Sequence, residues 1–280
     1  MTIFLYSTVL AALLLNPQIC AQSAEKALTI WALHVIPSLF PYMVFSKMLC
    51  EQIKHTHCPP VLVCSSLGLL GGAPSGAATI STYRARLSDK TVLSLTALTG
   101  TVSPMFFLGT IRSWTGNSLL CRQLLAAQFS GALLTAFLFS YLPPLKQIHD
   151  SSVSPQSSSQ TPLVQSIDAI LQVGGMIICF SVIASLIGML PLPKLLFPIL
   201  HACLEISGGM YTIIQFPFPE NIKTVLLAFF SSFGGLCILF QNLLFLKPLG
   251  VKPFQLLCIS VIRGFFSAFF MLLFLFIQAR

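Results

Sequence analysis

The sequence predicts an all-α, polytopic integral membrane protein, and its composition and the length of its apolar runs carry that prediction. Of the 280 residues, 55% are hydrophobic and 8% are charged, and the mean hydropathy is +0.88. A soluble globular protein carries roughly 25% charged residues, so this chain lacks the polar surface that water requires. Apolar runs of membrane-spanning length recur along the chain, and helices satisfy their own backbone in lipid. We therefore expect about eight or nine transmembrane or re-entrant helices.

The charge balance and the cysteines exclude several classes of protein. Fifteen Lys and Arg residues against seven Asp and Glu residues give a net charge of +8. Basic excess in the loops is usual in membrane proteins, so the lipid bilayer is the expected partner and nucleic acid is not. The nine cysteines are scattered singly, which does not predict a disulfide framework.

Two apolar segments of the first half are interrupted by glycine and proline. The first contains Gly71–Gly76 and the second contains Gly100–Pro104. Such interruptions free backbone groups from helical hydrogen bonding, which is tolerated at bilayer depth only beside protein or a water-filled cavity. Paired broken helices indicate the binding site of a transporter, whereas glycines that only allow close helix packing are the alternative interpretation.

The N-terminal part of the chain contains one short apolar element and one kinked span. Residues 1–20 predict an apolar helix that is retained, with a cleaved signal peptide as the alternative. Ala27–Leu49 is the next span, and Pro37 and Pro41 predict a kink near Ser38.

The chain divides into two similar halves. A Ser- and Gln-rich stretch, 143–162, predicts a polar linker between a first membrane repeat, 27–142, and a second, 163–280. Lys90–Leu93 recurs 133 residues later as Lys223–Leu226. At the same offset both glycine-containing breaks coincide with Gly-containing segments, Leu204–Gly209 and Phe233–Cys237. Four full crossings per half would make the repeats parallel, and one re-entrant hairpin per half would make them inverted.

A few polar side chains inside the apolar runs are candidates for function. Arg263 lies deep in the last span, where an ionisable residue is costly and therefore a functional hypothesis. Glu205 lies at a break, one turn after His201, and is a candidate to pair with Arg263 or to bind a coupling ion. Gln241 and Asn242 follow the Gly234–Gly235 break, and their amides are suited to substrate or helix contacts.

No nucleophile–base pair or phosphate-binding loop is present, so we do not expect an enzyme, a cofactor or a metal site. Cys50, His55, His57 and Cys58 could ligate zinc, but their spacing is not diagnostic and a polar loop is the simpler interpretation. Hydroxyls and helix-end N–H groups at the breaks can bind a carboxylate. The candidate substrate-binding residues are Gly72, Pro74, Ser75, Gly76, Thr101, Ser103, Pro104, Glu205, Ser207, Gly208, Gly209, Gly234, Gly235, Gln241 and Arg263.

Several segments together resemble a known family. In chain order they are ALTIWALHVIPSLFPYMVFSKML, GLLGGAPSGA, TGTVSPMFFLGTI, LEISGGM and FGGLCILFQNLL. They resemble the sporulation integral membrane protein family of the YlbJ type, over about residues 27 to 280. The resemblance implies a nucleoside-recognition (Gate) domain, whose architecture is related to the core of concentrative nucleoside transporters.

The resemblance also implies a function and a location. It implies a transporter or channel component for a small anionic solute, with dipicolinate during sporulation as the leading candidate. The expected location is the cell membrane of a spore-forming bacterium, including the outer forespore membrane. The alternatives are a nucleoside or other metabolite transporter and a non-conducting membrane scaffold of a sporulation complex. The exact substrate, the coupling ion, the direction of transport and a homo-oligomeric state stay open at this point.

Overall fold

The computed structural model describes residues 2–53, 56–141 and 161–278, and in these ranges it contains helices and no strand. Two π-helical stretches, Trp31–Val35 and Phe106–Ile111, join neighbouring helices. The α-helices are Thr2–Leu15 (α1), Pro17–Ile30 (α2), Ile36–Ile53 (α3), Pro60–Gly71 (α4), Ser75–Thr82 (α5), Asp89–Thr99 (α6), Arg112–Thr115 (α7), Ser118–Tyr141 (α8), Pro162–Ile187 (α9), Leu196–Leu204 (α10), Ile206–Gln215 (α11), Glu220–Phe233 (α12), Gly235–Leu246 (α13) and Pro253–Gln278 (α14).

Helix length and composition confirm the expected polytopic membrane protein. Among the described residues, four stretches are long and apolar enough to cross a bilayer: α8, α9, Glu220–Leu249 and α14. A fifth span results if Pro17–Val35 and Leu39–Ile53 are counted together, since they are bent by 51° at a break. The bend lies where Pro37 and Pro41 predict a kink, so that prediction is confirmed.

Two pairs of short helices form antiparallel hairpins that are closed by small residues. In the first hairpin, α4–α5, a Cβ on Gly68 would lie 3.3 Å from the Cα of Gly76. In the second hairpin, α10–α11, a Cβ on Gly209 would collide with the backbone of Ala202. The absence of a side chain at these positions lets the two backbones of each hairpin approach closely.

Helix α8 packs antiparallel to both α6 and α14. The Ser94 hydroxyl of α6 donates to the Ala136 carbonyl of α8 at 2.8 Å. Gly131 in the middle of α8 packs on the backbone of Ser267 in α14, and Leu119 near the start of α8 shares a groove with Ile277 near the end of α14. Helices α8 and α14 therefore run in opposite directions through the centre of the protein.

Some expected boundaries differ from the structure or lie outside it. The boundary expected at residue 20 falls inside α2, because Pro17 starts this helix and the helix continues to Ile30. The linker expected at 143–162 lies almost entirely outside the described residues, as does His55. Among the residues that are described, no group of three or more metal-ligating side chains occurs.

The hairpin packing predicts that Gly209→Ala destabilises the protein. The new methyl group would overlap Ala202, and overpacking of this kind costs about 1–3 kcal/mol. Gly175→Ala in α9 is the matched control, because nothing lies within 4 Å of its Cβ position. Thermal unfolding of the purified protein in detergent measures both effects. Equal midpoints for the two variants would show that the hairpin does not need the close approach.

Candidate functional site

The tip of the first hairpin contacts the first break, Gly100–Pro104. The N–H of Ala73 donates to the Thr101 carbonyl at 2.7 Å. Gly72 adopts φ +64°, and a Cβ here would lie 2.5 Å from the backbone nitrogen of Ser103. Left-handed backbone with no room for a side chain requires glycine at this position. The hairpin tip therefore satisfies backbone groups that the broken helix leaves free.

The tip of the second hairpin meets the second break, Gly234–Gly235, in a similar way. Both glycines have positive φ, +83° and +70°. A Cβ on Gly235 would lie 3.0 Å from the Ala202 carbonyl oxygen at the end of α10. Glu205 connects α10 to α11 and caps α11, because its carboxylate accepts the N–H groups of Ser207 at 2.8 Å and Gly208 at 2.6 Å.

Arg263 connects the two breaks. Its side chain is 1% exposed in the middle of α14. Nε donates to the Ser232 carbonyl at 2.8 Å, at the end of α12. Nη2 donates to Gly100 at 2.7 Å, and Nη1 donates to Ala97 at 3.1 Å and Thr96 at 3.5 Å, at the end of α6. A single guanidinium thus holds the C-terminal ends of α6 and α12 together.

The charge of Arg263 is balanced by backbone dipoles. The C-terminus of a helix carries roughly half a negative charge, so two such ends offset approximately one positive charge. A buried guanidinium requires this compensation, since an uncompensated charge in an apolar interior costs several kcal/mol. Glu205 does not supply it, because no ion pair joins Arg263 to Glu205 within the described residues. Of the two alternatives for Glu205, pairing with Arg263 is therefore not observed.

Within the described ranges, five buried side-chain oxygens without hydrogen-bond partners belong to the segments that pack around Arg263. Thr101 adjoins Gly100, and the Asn242 amide nitrogen lies 3.3 Å from the Cβ position of Gly100. Gln128 donates to the Val102 carbonyl at 3.0 Å, and Ser267 lies one turn after Arg263. Among the described residues, the buried side-chain oxygens without a partner are Thr101 Oγ1, Gln128 Oε1, Ser232 Oγ, Asn242 Oδ1 and Ser267 Oγ. Buried polar groups are normally paired, so a cluster of unpaired groups indicates a place suited to a polar ligand or water.

The candidate binding residues lie at the two contacts between a hairpin tip and a break. Gly72, Pro74, Ser75, Gly76, Thr101, Ser103 and Pro104 lie at the first contact. Glu205, Ser207, Gly208, Gly209, Gly234 and Gly235 lie at the second. Gln241 is buried in α13 and donates to the Cys237 sulfur at 3.2 Å. His201 does not share a hydrogen bond with Glu205; its Nδ1 lies 3.1 Å from the Thr212 hydroxyl.

Sequence reasoning missed three of the five unpaired side chains: Gln128, Ser232 and Ser267. It named Asn242 as suited to substrate or helix contacts but did not include it among the substrate-binding residues. A usable signal existed for Gln128, which is an amide within the apolar span α8. Ser267 follows Arg263 by four residues and therefore lies on the same helix face. Ser232 gave no signal, because a serine in an apolar helix commonly bonds to its own backbone.

The contacts of Arg263 predict that Arg263→Met strongly destabilises the protein. Losing one partner of a buried charged network costs about 3–5 kcal/mol, and here several carbonyls at two helix ends would lose their donor. Arg122→Met is the matched control, because Arg122 is exposed on α8. Folded yield and thermal unfolding in detergent report the difference. If the two variants unfold at the same temperature, Arg263 does not hold the helix ends.

Comparison with known proteins adds one distant relationship. No protein-family model matches the chain, and no solved structure matches it. A curated relative from Bacillus subtilis (strain 168), named sporulation integral membrane protein YlbJ, is 21% identical over 333 residues. This alignment covers 97% of the chain and 80% of the relative. The chain is a distant homologue of this sporulation membrane protein.

Proposed function

We propose that this protein transports a small anionic solute across the membrane, with dipicolinate as the leading candidate. The observation that carries the proposal is the meeting of two hairpin tips and two broken spans around Arg263, beside buried oxygens without partners. The distant relation to a sporulation membrane protein supports a role in spore formation. Dipicolinate is a planar dianion, and its carboxylates need hydrogen-bond donors in a dry environment.

The centre offers suitable donors. Arg263 has five N–H groups, and its four observed hydrogen bonds use at most four of them. The hydroxyls of Thr101, Ser232 and Ser267 are buried without a partner, and each can donate one hydrogen bond. The glycines of the two breaks expose further backbone groups. We propose that these groups bind the solute midway across the membrane.

We further propose that the two halves are inverted repeats. The residue spacing of 133 places α4–α5 on α10–α11, α6 on α12 and α8 on α14. The antiparallel packing of α8 and α14 supports an inverted rather than a parallel relation. A re-entrant hairpin in each half, α4–α5 and α10–α11, accounts for this reversal. Inverted repeats allow one half to rock against the other and to expose the centre to alternate sides.

The proposal predicts that Thr101→Val abolishes most of the transport without destabilising the protein. Valine keeps the shape of threonine and removes a hydroxyl that has no partner, so the free energy of unfolding should not fall. The loss of one hydrogen bond to a charged solute corresponds to about a tenfold lower flux. Labelled dipicolinate uptake into proteoliposomes measures the flux, and thermal unfolding measures the stability.

Thr82→Val is the matched control, because Thr82 is the last residue of α5 and lies away from the hairpin tip. Its hydroxyl is exposed and donates to the Ala78 carbonyl. The dipicolinate flux of Thr82→Val should equal that of the wild type.

The dipicolinate content of spores from a deletion strain, complemented with each variant, tests the same proposal in cells. Normal dipicolinate in the deletion strain would support a scaffold role, and flux of a labelled nucleoside in place of dipicolinate would favour the nucleoside transporter.

A further inference from the structure

The carboxylate of Glu205 occupies the start of α11 in the second hairpin. Its side chain is 1% exposed, and its two oxygens accept the N–H groups of Ser207 and Gly208. Within the described ranges no Lys, Arg or His nitrogen lies within 4.0 Å of it. The carboxylate is therefore held by two backbone N–H groups and the Ser207 hydroxyl, with no cation beside it.

The surroundings of Glu205 contain few titratable groups. His201 and Cys203 belong to α10, and Cys237 belongs to α13, which packs against the hairpin. A Cβ on Gly208 would lie 2.9 Å from His201 Nε2 and 3.1 Å from Glu205 Oε2, so the imidazole faces the carboxylate across Gly208. The His201 ring is half-buried, and its Nδ1 lies 3.1 Å from the Thr212 hydroxyl.

The two hairpin tips differ at this position. In the first hairpin the residue 133 positions earlier is Gly72, which has no side chain to offer. Backbone N–H groups at a helix start are donors that a carboxylate of a solute would also use. In the second hairpin the protein's own carboxylate already takes these donors. An anionic solute near this tip therefore competes with Glu205 for them and is repelled by its charge.

Protonation of Glu205 removes the repulsion and weakens the competition for the donors. An ionised carboxylate without a cation is expensive in an apolar interior, and the neutral acid is not. When a proton binds one oxygen, an O–H bond forms and the negative charge disappears. The N–H groups of Ser207 and Gly208 then bond to a neutral acid, which holds them less strongly than a carboxylate does. Release of the proton on the other side breaks the O–H bond and restores the carboxylate, with no electron transfer.

We propose that Glu205 is the proton-binding site that couples solute movement to protons. The anionic solute and a proton then cross together, because the solute binds at the second hairpin only while Glu205 is neutral. This inference rests on the proposed transport function and names its coupling ion. His201 lies next to Glu205 without bonding to it and has no part in this scheme.

A first experiment tests proton binding without any solute. Infrared spectroscopy of the reconstituted wild-type protein, titrated with acid, should show the appearance of a protonated carboxyl band that Glu205→Gln lacks. The glutamine keeps an oxygen that can accept the same N–H groups, so the hairpin should still fold. Glu220→Gln is the matched control, because Glu220 is an exposed acid paired with Lys223 at 2.8 Å. An identical titration in Glu205→Gln and the wild type would overturn the inference.

A second experiment tests coupling in proteoliposomes that contain a pH-sensitive dye. With labelled dipicolinate as the probe, the wild type and Glu220→Gln should move protons together with dipicolinate, and Glu205→Gln should move dipicolinate without protons. Dipicolinate flux without proton movement in the wild type would overturn the inference. If the wild type moves no dipicolinate, the proposed function fails, and the infrared titration alone then decides whether Glu205 binds a proton.

Discussion

The contact on which the centre of this protein depends is the hydrogen bonding of one buried arginine to the ends of two broken helices. Arg263 reaches carbonyls of α6 and α12, which are more than 100 residues apart in the chain. Broken helices expose carbonyls that lipid cannot satisfy, so each break needs a donor from elsewhere in the protein. One guanidinium serves both breaks, and the two helix dipoles in turn balance its charge.

The hairpin tips impose the second constraint, which is steric. Gly72 and Gly235 lie against backbone carbonyls and nitrogens that leave no room for a side chain. Each tip can therefore close on its break, and at the first contact the Ala73 N–H also bonds to the Thr101 carbonyl. Glu205 is the exception to this similarity between the halves, because the second tip carries its own carboxylate. This difference makes the two hairpin tips chemically unequal.

Much of the fold was predictable because its signals are local. The length of the apolar runs predicts the spans, and Pro37 and Pro41 predict a kink because proline has no backbone N–H to donate. Gly72 and Gly234–Gly235 mark the breaks, since glycine tolerates the backbone conformation that a break requires. Arg263 and Glu205 were singled out by the cost of a charge in an apolar segment.

The sequence by itself determined which segments are helical, where helices break and which charges are buried. Only the tertiary structure decided the partners of those charges: Arg263 binds carbonyls, and Glu205 caps its own hairpin instead of pairing with Arg263. It also brought Gln128 and Ser267 to the same centre as Thr101. The physical reason is that a hydrogen bond depends on the positions of helices distant in sequence, whereas propensity and hydropathy report only on neighbours along the chain.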